Sequence, residues 1–134
     1  MIRSMRYSLM AVMLAPAIAS AQMVAPAPEA VPDVCPNRPS NPAIIENMGV
    51  KDAHLTLLLQ GMYKAVAYQN IVETGSCRCD QRFPSWEPVV QYYLEHYAGQ
   101  DDHNTVRERR SYYRQSSSAN RPQVRDLCIA AGNW

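Results

Sequence analysis

The four cysteines are the residues of this chain whose type and spacing could do chemistry. Cys77 and Cys79 are separated by one residue, and Cys35 and Cys128 lie far away on either side. Such a set could form a redox pair, hold a metal ion or make two disulfides. Thioredoxin-type redox sites separate their cysteines by two residues within a βαβ unit, and zinc sites usually space them by two to four. The spacing therefore favours two disulfides, with no metal site and no cofactor.

The connectivity of these disulfides has two solutions. A bond between Cys77 and Cys79 would close a very small ring, which strains the narrow geometry that a disulfide tolerates. In the two remaining pairings, Cys35 and Cys128 are each joined to one of Cys77 and Cys79. An even number of cysteines in a small exported domain is typical of such a framework.

The first 21 residues predict export. Arg3 and Arg6 precede an apolar stretch at residues 9–18, and Ala19-Ser20-Ala21 supplies a small-x-small cleavage site. The apolar stretch is too short for a hydrocarbon core of about 30 Å. We therefore expect a signal peptide at residues 1–21, a periplasmic or secreted product, and no transmembrane segment after cleavage.

Residues 22–42 predict a flexible tether. The segment holds six prolines with alanines between them and no apolar period. Proline fixes φ and removes a backbone donor, so an extended chain is expected, fastened at Cys35. The disulfide-stapled domain is then assigned to residues 43–134.

A helix is predicted between Asp52, in the N-cap position, and Gly75, which suits a left-handed C-terminal cap. Apolar residues recur at spacings of three and four along it: Leu55, Leu58, Leu59, Met62 and Val66. Further apolar positions widen this surface and predict a largely enclosed helix: Leu57, Tyr63, Ala67 and Ile71. Gly61 weakens a helix, so its presence predicts the close approach of another backbone.

Three further helical segments follow, over residues 85–99, 101–115 and 120–132. Ser85 and Asp102 are suited to N-caps, and Pro122 is placed in the first turn of the last segment. No segment shows sustained alternation of β-branched residues, so strands are not expected. The fold class is therefore all-α, a small bundle of three to four helices stapled by two disulfides.

The distribution of charge predicts a basic end. Without Arg3 and Arg6 the chain carries eleven basic and twelve acidic residues, a near-neutral total that argues against a nucleic-acid partner. Residues 22–102 have a net charge of −5, whereas residues 103–134 have a net charge of +4.

The densest cationic cluster lies in this basic end. Arg107, Arg110 and Arg114 share one helical face, with Arg109 pointing elsewhere. Together with Tyr112 and Tyr113 the three arginines form a candidate surface for a periplasmic or envelope protein. A solvated helix face for the arginines and core packing for the tyrosines are the alternatives. An anionic envelope glycan or lipid headgroups are further candidate ligands of the arginines.

No catalytic motif is present in the sequence. The chain lacks G-x-S-x-G, H-E-x-x-H, a P-loop and a dinucleotide fingerprint. We therefore expect no enzymatic activity and no catalytic residue.

Residues 61–97 resemble small exported proteins encoded in conjugative plasmid and type IV secretion loci of Gram-negative bacteria. The resemblance rests on Glu73-Thr74-Gly75-Ser76-Cys77-x-Cys79, Phe83-Pro84-x-Trp86 and Tyr92-Tyr93, and covers about a third of the chain after cleavage. It implies an accessory periplasmic role in assembly of the secretion channel or pilus, and no catalytic residue. The expected function is that of a non-catalytic interaction protein. The alternative is a thiol-disulfide active factor that uses Cys77 and Cys79.

Signal cleavage is directly testable. N-terminal sequencing of the protein from a periplasmic extract should give Gln22 as the first residue, because the small-x-small site ends at Ala21. Membrane-bound material that begins at Met1 would contradict the prediction.

Overall fold

The computed structural model describes residues 35–134, which are helical and contain no strand. The helices are α1 (Ala43–Glu46), α2 (Ala53–Thr74), α3 (Cys79–Arg82), α4 (Glu87–His96) and α5 (His103–Ala130), with a 3-10 turn at Val50–Asp52. The predicted all-α fold with two disulfides is confirmed. The predicted signal peptide and residues 22–34 of the predicted tether lie outside the described residues. No helix within residues 35–134 has the length and apolar character needed to cross a membrane.

Helix α2 begins and ends where its sequence predicts. It follows Asp52 and ends at Gly75, whose φ of 64° is the left-handed conformation that glycine adopts without steric cost. Its most deeply buried side chains include Leu58, Leu59 and Ile71, each 0% exposed. Complete burial of one such side chain stabilises the fold by about 1.5–3 kcal/mol, so α2 is the principal source of core contacts.

One expectation about α2 is wrong: Leu57 is predicted to lie on an enclosed surface, but its side chain is 46% exposed. At Gly61 the neighbouring element is α5, since a Cβ built there would meet the Cβ of Tyr113 at the ordinary contact distance of 3.8 Å. Both residues lie on a face of α2 that no third helix covers.

Helices α2 and α5 run side by side in the same direction. At their first turns the rings of His54 and His103 stack with centroids 4.2 Å apart. Near their other ends, a disulfide joins Cys77, just after α2, to Cys128 in the last turn of α5. Both helices contribute buried side chains to each of the two core clusters of the described residues, so this parallel pair is the frame of the domain.

Helix α4 covers the first half of that pair. Val89 and Tyr93 on α4 are buried in a cluster built on the first half of α2, together with Val106 of α5. The remaining buried members of this cluster are Ile45, Leu55, Leu58, Leu59 and Met62.

The start of α4 is fixed by local contacts. The Oγ of Ser85, the predicted N-cap residue, accepts a hydrogen bond from the backbone N–H of Glu87 at 3.2 Å, although Trp86 occupies the N-cap position. Trp86 stacks on Tyr63 with centroids 3.9 Å apart, and the Tyr63 hydroxyl donates to the carbonyl of Pro84 at 2.8 Å. These contacts hold α4 against α2.

The second half of the α2–α5 pair has a smaller core that includes a disulfide. Ile71, Cys77, Val124 and Cys128 form a separate buried cluster. The pairing is Cys35–Cys79 and Cys77–Cys128, with Cα atoms 5.5 and 5.0 Å apart, within the normal range. It is one of the two pairings that the sequence leaves open.

The C-terminal residues close this end of the domain. After α5, Gly132 adopts a φ of 68°, and the N–H of Asn133 donates to the carbonyl of Cys128 at 2.7 Å, the pattern of a Schellman cap. The buried Asn133 side chain donates to the carbonyl of Cys77 at 2.9 Å and accepts from Nη1 of Arg82 at 3.1 Å. One asparagine thus links α5, the Cys77 loop and α3.

Helix α5 corrects the prediction of two segments separated near residues 116–119. It is continuous over 28 residues and contains Pro122 in its interior. Proline removes the bond to the carbonyl four residues earlier, here Ser118, and both residues are exposed, where water can replace the lost partner. Val106 anchors one side of the proline in the first cluster and Val124 anchors the other in the second. Tertiary contacts on both sides therefore override the local signal.

The two disulfides should differ in their contribution to stability. Their sequence separations, 51 and 44 residues, differ so little that the chain-entropy terms differ by only about 0.1 kcal/mol. Cys77 and Cys128 are both buried, whereas in the other bond Cys35 is buried and Cys79 is exposed. The double substitution C77A/C128A should lower the free energy of unfolding by about 2–5 kcal/mol, and C35A/C79A by less. Urea denaturation followed by circular dichroism measures both, and an equal or reversed loss contradicts the assignment.

Candidate functional site: a basic groove between α2 and α5

A groove of about 880 Å³ lies between α2 and α5. No residue of α4 lines it, because α4 packs elsewhere on the helix pair. Helix α2 contributes Leu57, Gly61 and Lys64. Helix α5 contributes Asn104, Thr105, Arg107, Glu108, Arg110, Ser111, Arg114 and Ser117.

Helical periodicity brings these residues together. On α2 the lining residues are four and three positions apart, so they form one stripe. On α5 the three arginines are three and four positions apart and form a second stripe. With a rise of 1.5 Å per residue, the arginine stripe extends about 10.5 Å along the helix.

The groove is strongly positive. It contains the side chains of Lys64, Arg107, Arg110 and Arg114, and a single carboxylate, Glu108. Within residues 35–134 none of these four cations forms an ion pair, since the ion pairs there join Arg78 to Asp80 and Arg125 to Asp126. A concave surface that carries uncompensated charge of one sign attracts ligands of the opposite sign.

The groove cations have neutral neighbours. Nη2 of Arg107 donates to Oδ1 of Asn104 at 3.1 Å, and Nζ of Lys64 lies 5.3 Å from the centroid of the Tyr68 ring. Both contacts orient a side chain and leave its charge uncompensated. Arg107 and Arg114 are exposed and Arg110 is half-buried, so their guanidinium groups retain donors for an incoming acceptor.

The predicted surface of arginines and tyrosines is divided in the structure. The three arginines share the groove, but neither Tyr112 nor Tyr113 lines it. Tyr112 is 66% exposed, whereas Tyr113 packs against the first core cluster, and its hydroxyl lies 2.9 Å from that of Tyr97. Tyr113 therefore has the packing role that was the alternative for the tyrosines.

Arg109 packs on the ring of Tyr97 and does not line the groove. Its guanidinium carbon lies 4.1 Å from the centroid of the Tyr97 ring, and its Nη2 donates to Oε1 of Gln100. These contacts connect the α4–α5 loop to α5. Burial raises the pKa of the Tyr113 hydroxyl well above its ordinary value, and the hydrogen bond with Tyr97 adds to this effect.

A second, apolar hollow of about 300 Å³ lies where α4 meets the helix pair. Its lining is formed by Met62, Val66, Pro88, Val89, Tyr92 and Tyr113. Tyr92 and Val66 are partly exposed at 45% and 38%. This hollow contains no charged side chain and is chemically distinct from the basic groove.

The histidines are engaged in stacking. His54 stacks on His103 with its Nε2 3.2 Å from the carbonyl of Asp101, and His96 stacks on Tyr92 with centroids 4.1 Å apart. In the described part of the chain, no three side chains among histidine, cysteine, aspartate and glutamate are close enough together to hold a metal ion.

Cys77 and Cys79 are bonded to different partners. Cys77 is joined to Cys128, and both are buried, whereas Cys79 is exposed and joined to Cys35. No cysteine of the described region is a free thiol. A bond between Cys77 and Cys79 could form only after both existing disulfides had opened.

The sequence identifies one wall of the groove and misses the other. The arginine cluster is visible as charge density, whereas Leu57, Gly61 and Lys64 of α2 have no such signal. Their spacing of four and three residues does place them on one helical stripe. In a helix with so many apolar residues, however, the sequence predicts Leu57 to be a core residue. Only the position of α5 beside α2 defines the second wall.

Comparison with protein-family models, with curated proteins and with solved structures finds no match for this chain. The function is therefore inferred from the geometry and charge of its own residues.

The buried Tyr113 predicts alkaline sensitivity. Because its pKa is raised in the folded state, its stabilising contribution is complete below pH about 10, where an unfolded tyrosine begins to ionise, and is lost as the pH rises further. Ionisation of this one group can lower the free energy of unfolding by at most about 1.4 kcal/mol per pH unit. Urea denaturation between about pH 8 and pH 11, the range in which ordinary tyrosines ionise, measures the effect. The free energy of unfolding should decline less steeply with pH for Tyr113→Phe than for the wild type.

The exposed neighbour provides the control for this measurement. Tyr112→Phe removes the same hydroxyl from a side chain that is 66% exposed and thus controls for the substitution itself. Equal slopes for the two variants would contradict the role of burial.

Proposed function

We propose that the protein is a non-catalytic interaction protein of the periplasm that binds an acidic surface of an envelope protein through the basic groove. One observation carries the proposal: four cationic side chains surround one concavity without a carboxylate partner. In the described region two arginines outside the groove, Arg78 and Arg125, form ion pairs with nearby aspartates. The concentration of four cations on one concave surface supports a role for them in binding.

The chemistry of the groove favours carboxylates as ligands. A guanidinium group can donate two parallel hydrogen bonds to one carboxylate, and charge-assisted bonds of this kind are stronger than neutral ones. Complementary charge also accelerates encounter and discriminates against partners of the wrong sign. Three arginines along about 10.5 Å of helix therefore select an acidic stretch rather than a single charge.

The compartment is part of the proposal. Two disulfides support an oxidising environment, because such bonds form and persist in exported proteins and are rare in the cytosol. The signal-peptide pattern at residues 1–21 points to the same route.

The resemblance of residues 61–97 to proteins of conjugative and type IV secretion loci suggests the biological setting. We propose an accessory role in assembling the secretion channel or pilus, with an acidic component of that apparatus as the partner. The segment includes Gly61 and Lys64 of the groove and the Cys77-x-Cys79 element that fixes the end of α2. The resemblance thus covers two of the three residues of the α2 wall of the proposed site.

The alternative, a thiol-disulfide active factor, has weaker support. A redox-active pair alternates between two thiols and the bond that joins them. Cys77 and Cys79 are each bonded to a distant cysteine, and the Cys77–Cys128 bond is buried among core residues. This arrangement fits a structural role better than exchange with other proteins.

Charge reversal in the groove tests the proposal. The triple variant R107E/R110E/R114E should lose its partner in crosslinking and co-purification from the native host, because like-charge contact at an interface costs several kcal/mol. Its melting temperature should stay close to that of the wild type, since none of the three side chains is buried and such substitutions usually change stability by less than about 0.5 kcal/mol. Quantitative mass spectrometry of the recovered proteins is the measurement.

A matched variant controls for net charge. K51E/R121E/R125E changes the same number of exposed cations outside the groove and should recover the partner at the wild-type level. Raised salt should weaken wild-type binding, because exposed charges are screened beyond about 8–10 Å at physiological ionic strength. Equal loss in both triple variants, or normal recovery by the groove variant, would refute the proposed site.

A further inference from the structure

Nothing in the local geometry requires glycine rather than alanine at position 61. It lies within α2, where glycine is a poor helix former, and its φ is in the ordinary negative range. A Cβ at this position would meet a single atom, the Cβ of Tyr113, at 3.8 Å, which is an ordinary contact. The domain could therefore accept alanine here. What the missing side chain does provide is space in the wall of the groove.

The α2 wall is also partly apolar. Leu57 precedes Gly61 by one turn on the same stripe and is 46% exposed, although most other leucines of α2 are buried. The opposite wall carries the three arginines of α5. The groove therefore has a small and apolar side facing a cationic side, and an occupant that fits both must itself be amphipathic.

The length of the cationic stripe discriminates between an extended and a helical occupant. An extended segment rises about 3.3 Å per residue, so about 10.5 Å corresponds to three residues, of which only two face the same way. A helix covers that distance in seven residues and presents three side chains at i, i+3 and i+7 on one face. Only the helix offers one carboxylate to each of Arg107, Arg110 and Arg114.

We infer that the groove binds an acidic amphipathic helix of the partner protein, which places an apolar side chain over Gly61 against Leu57 and a row of carboxylates along the three arginines. This mode of recognition, in which a helix lies in a groove with anchors at helical spacing, is common among protein complexes. The inference rests on the proposed function and specifies the chemistry of the partner segment.

Synthetic peptides test the inference without the natural partner. The probe is an alanine-rich peptide of about 18 residues, long enough to form a helix, with glutamates at i, i+3 and i+7 and a leucine at i+4. A peptide of the same composition with its glutamates distributed around the helix is the first control, and a peptide with glutamine in place of glutamate is the second. Fluorescence anisotropy should show binding of the probe at least about tenfold tighter than either control.

Variants of the α2 wall supply the second arm. Gly61→Leu fills the groove and should weaken probe binding at least about tenfold relative to Gly61→Ala, which controls for the change in helix propensity. Gly61→Ala should melt at or above the wild-type temperature, because alanine is a better helix former than glycine and its Cβ would make only an ordinary contact. Leu57→Asp should also weaken binding about tenfold, through repulsion of the glutamates. Val66→Asp should leave probe binding unchanged, because Val66 is an exposed apolar residue of α2 that lines the apolar hollow and not the groove.

Each contrary result contradicts a specific part of the inference. Equal affinity for the ordered and distributed peptides, or full affinity of Gly61→Leu and Leu57→Asp, would refute the helical occupant. If Gly61→Leu lowers the melting temperature, its effect on binding is not a test of the groove, and the affinity of Leu57→Asp for the probe peptide tests the α2 wall instead. Binding to phosphatidylglycerol vesicles without binding to the acidic peptide would assign the groove to lipid headgroups. If charge reversal in the groove abolishes co-purification while both α2 variants retain the partner, the proposed function stands and the inference fails.

Discussion

The parallel pairing of α2 with α5 is the constraint on which the rest of the structure depends. Two helices alone bury little apolar surface, and α4 covers only the first half of this pair, where eight residues form the larger core. The second half has a core of four residues, two of which are the cysteines of one disulfide. Covalent bonds thus support the end of the pair where packing is least, as is common in small exported domains.

The same arrangement creates the candidate site. Because α4 and the first core cluster occupy one side of the helix pair, the groove between α2 and α5 has a lining from these two helices only. Its arginines are held by a helix that is continuous through Pro122 and anchored on both sides of it by Val106 and Val124. The cations are therefore displayed from a rigid element, which is the condition for recognising spacing as well as charge.

The sequence predicts features that depend on neighbouring residues and misses those that depend on distant ones. The boundaries of α2 follow from Asp52 and Gly75, and the close spacing of Cys77 and Cys79 restricts the disulfides to two patterns. The break expected before Pro122 is wrong because buried contacts on both sides outweigh the loss of one backbone hydrogen bond. The exposure of Leu57 and the role of Lys64 could not be predicted, since both depend on where α5 lies.

The parallel orientation also has an electrostatic consequence. Each helix carries about half a positive charge at its first turn and half a negative charge at its last, so two parallel helices bring like partial charges together at both ends. At the first end Asp52 and Asp102 occupy the two N-cap positions, where carboxylates oppose the positive ends. At the other end neither helix has a basic residue in its last turn. There the Cys77–Cys128 bond holds together two helix ends that would otherwise repel each other.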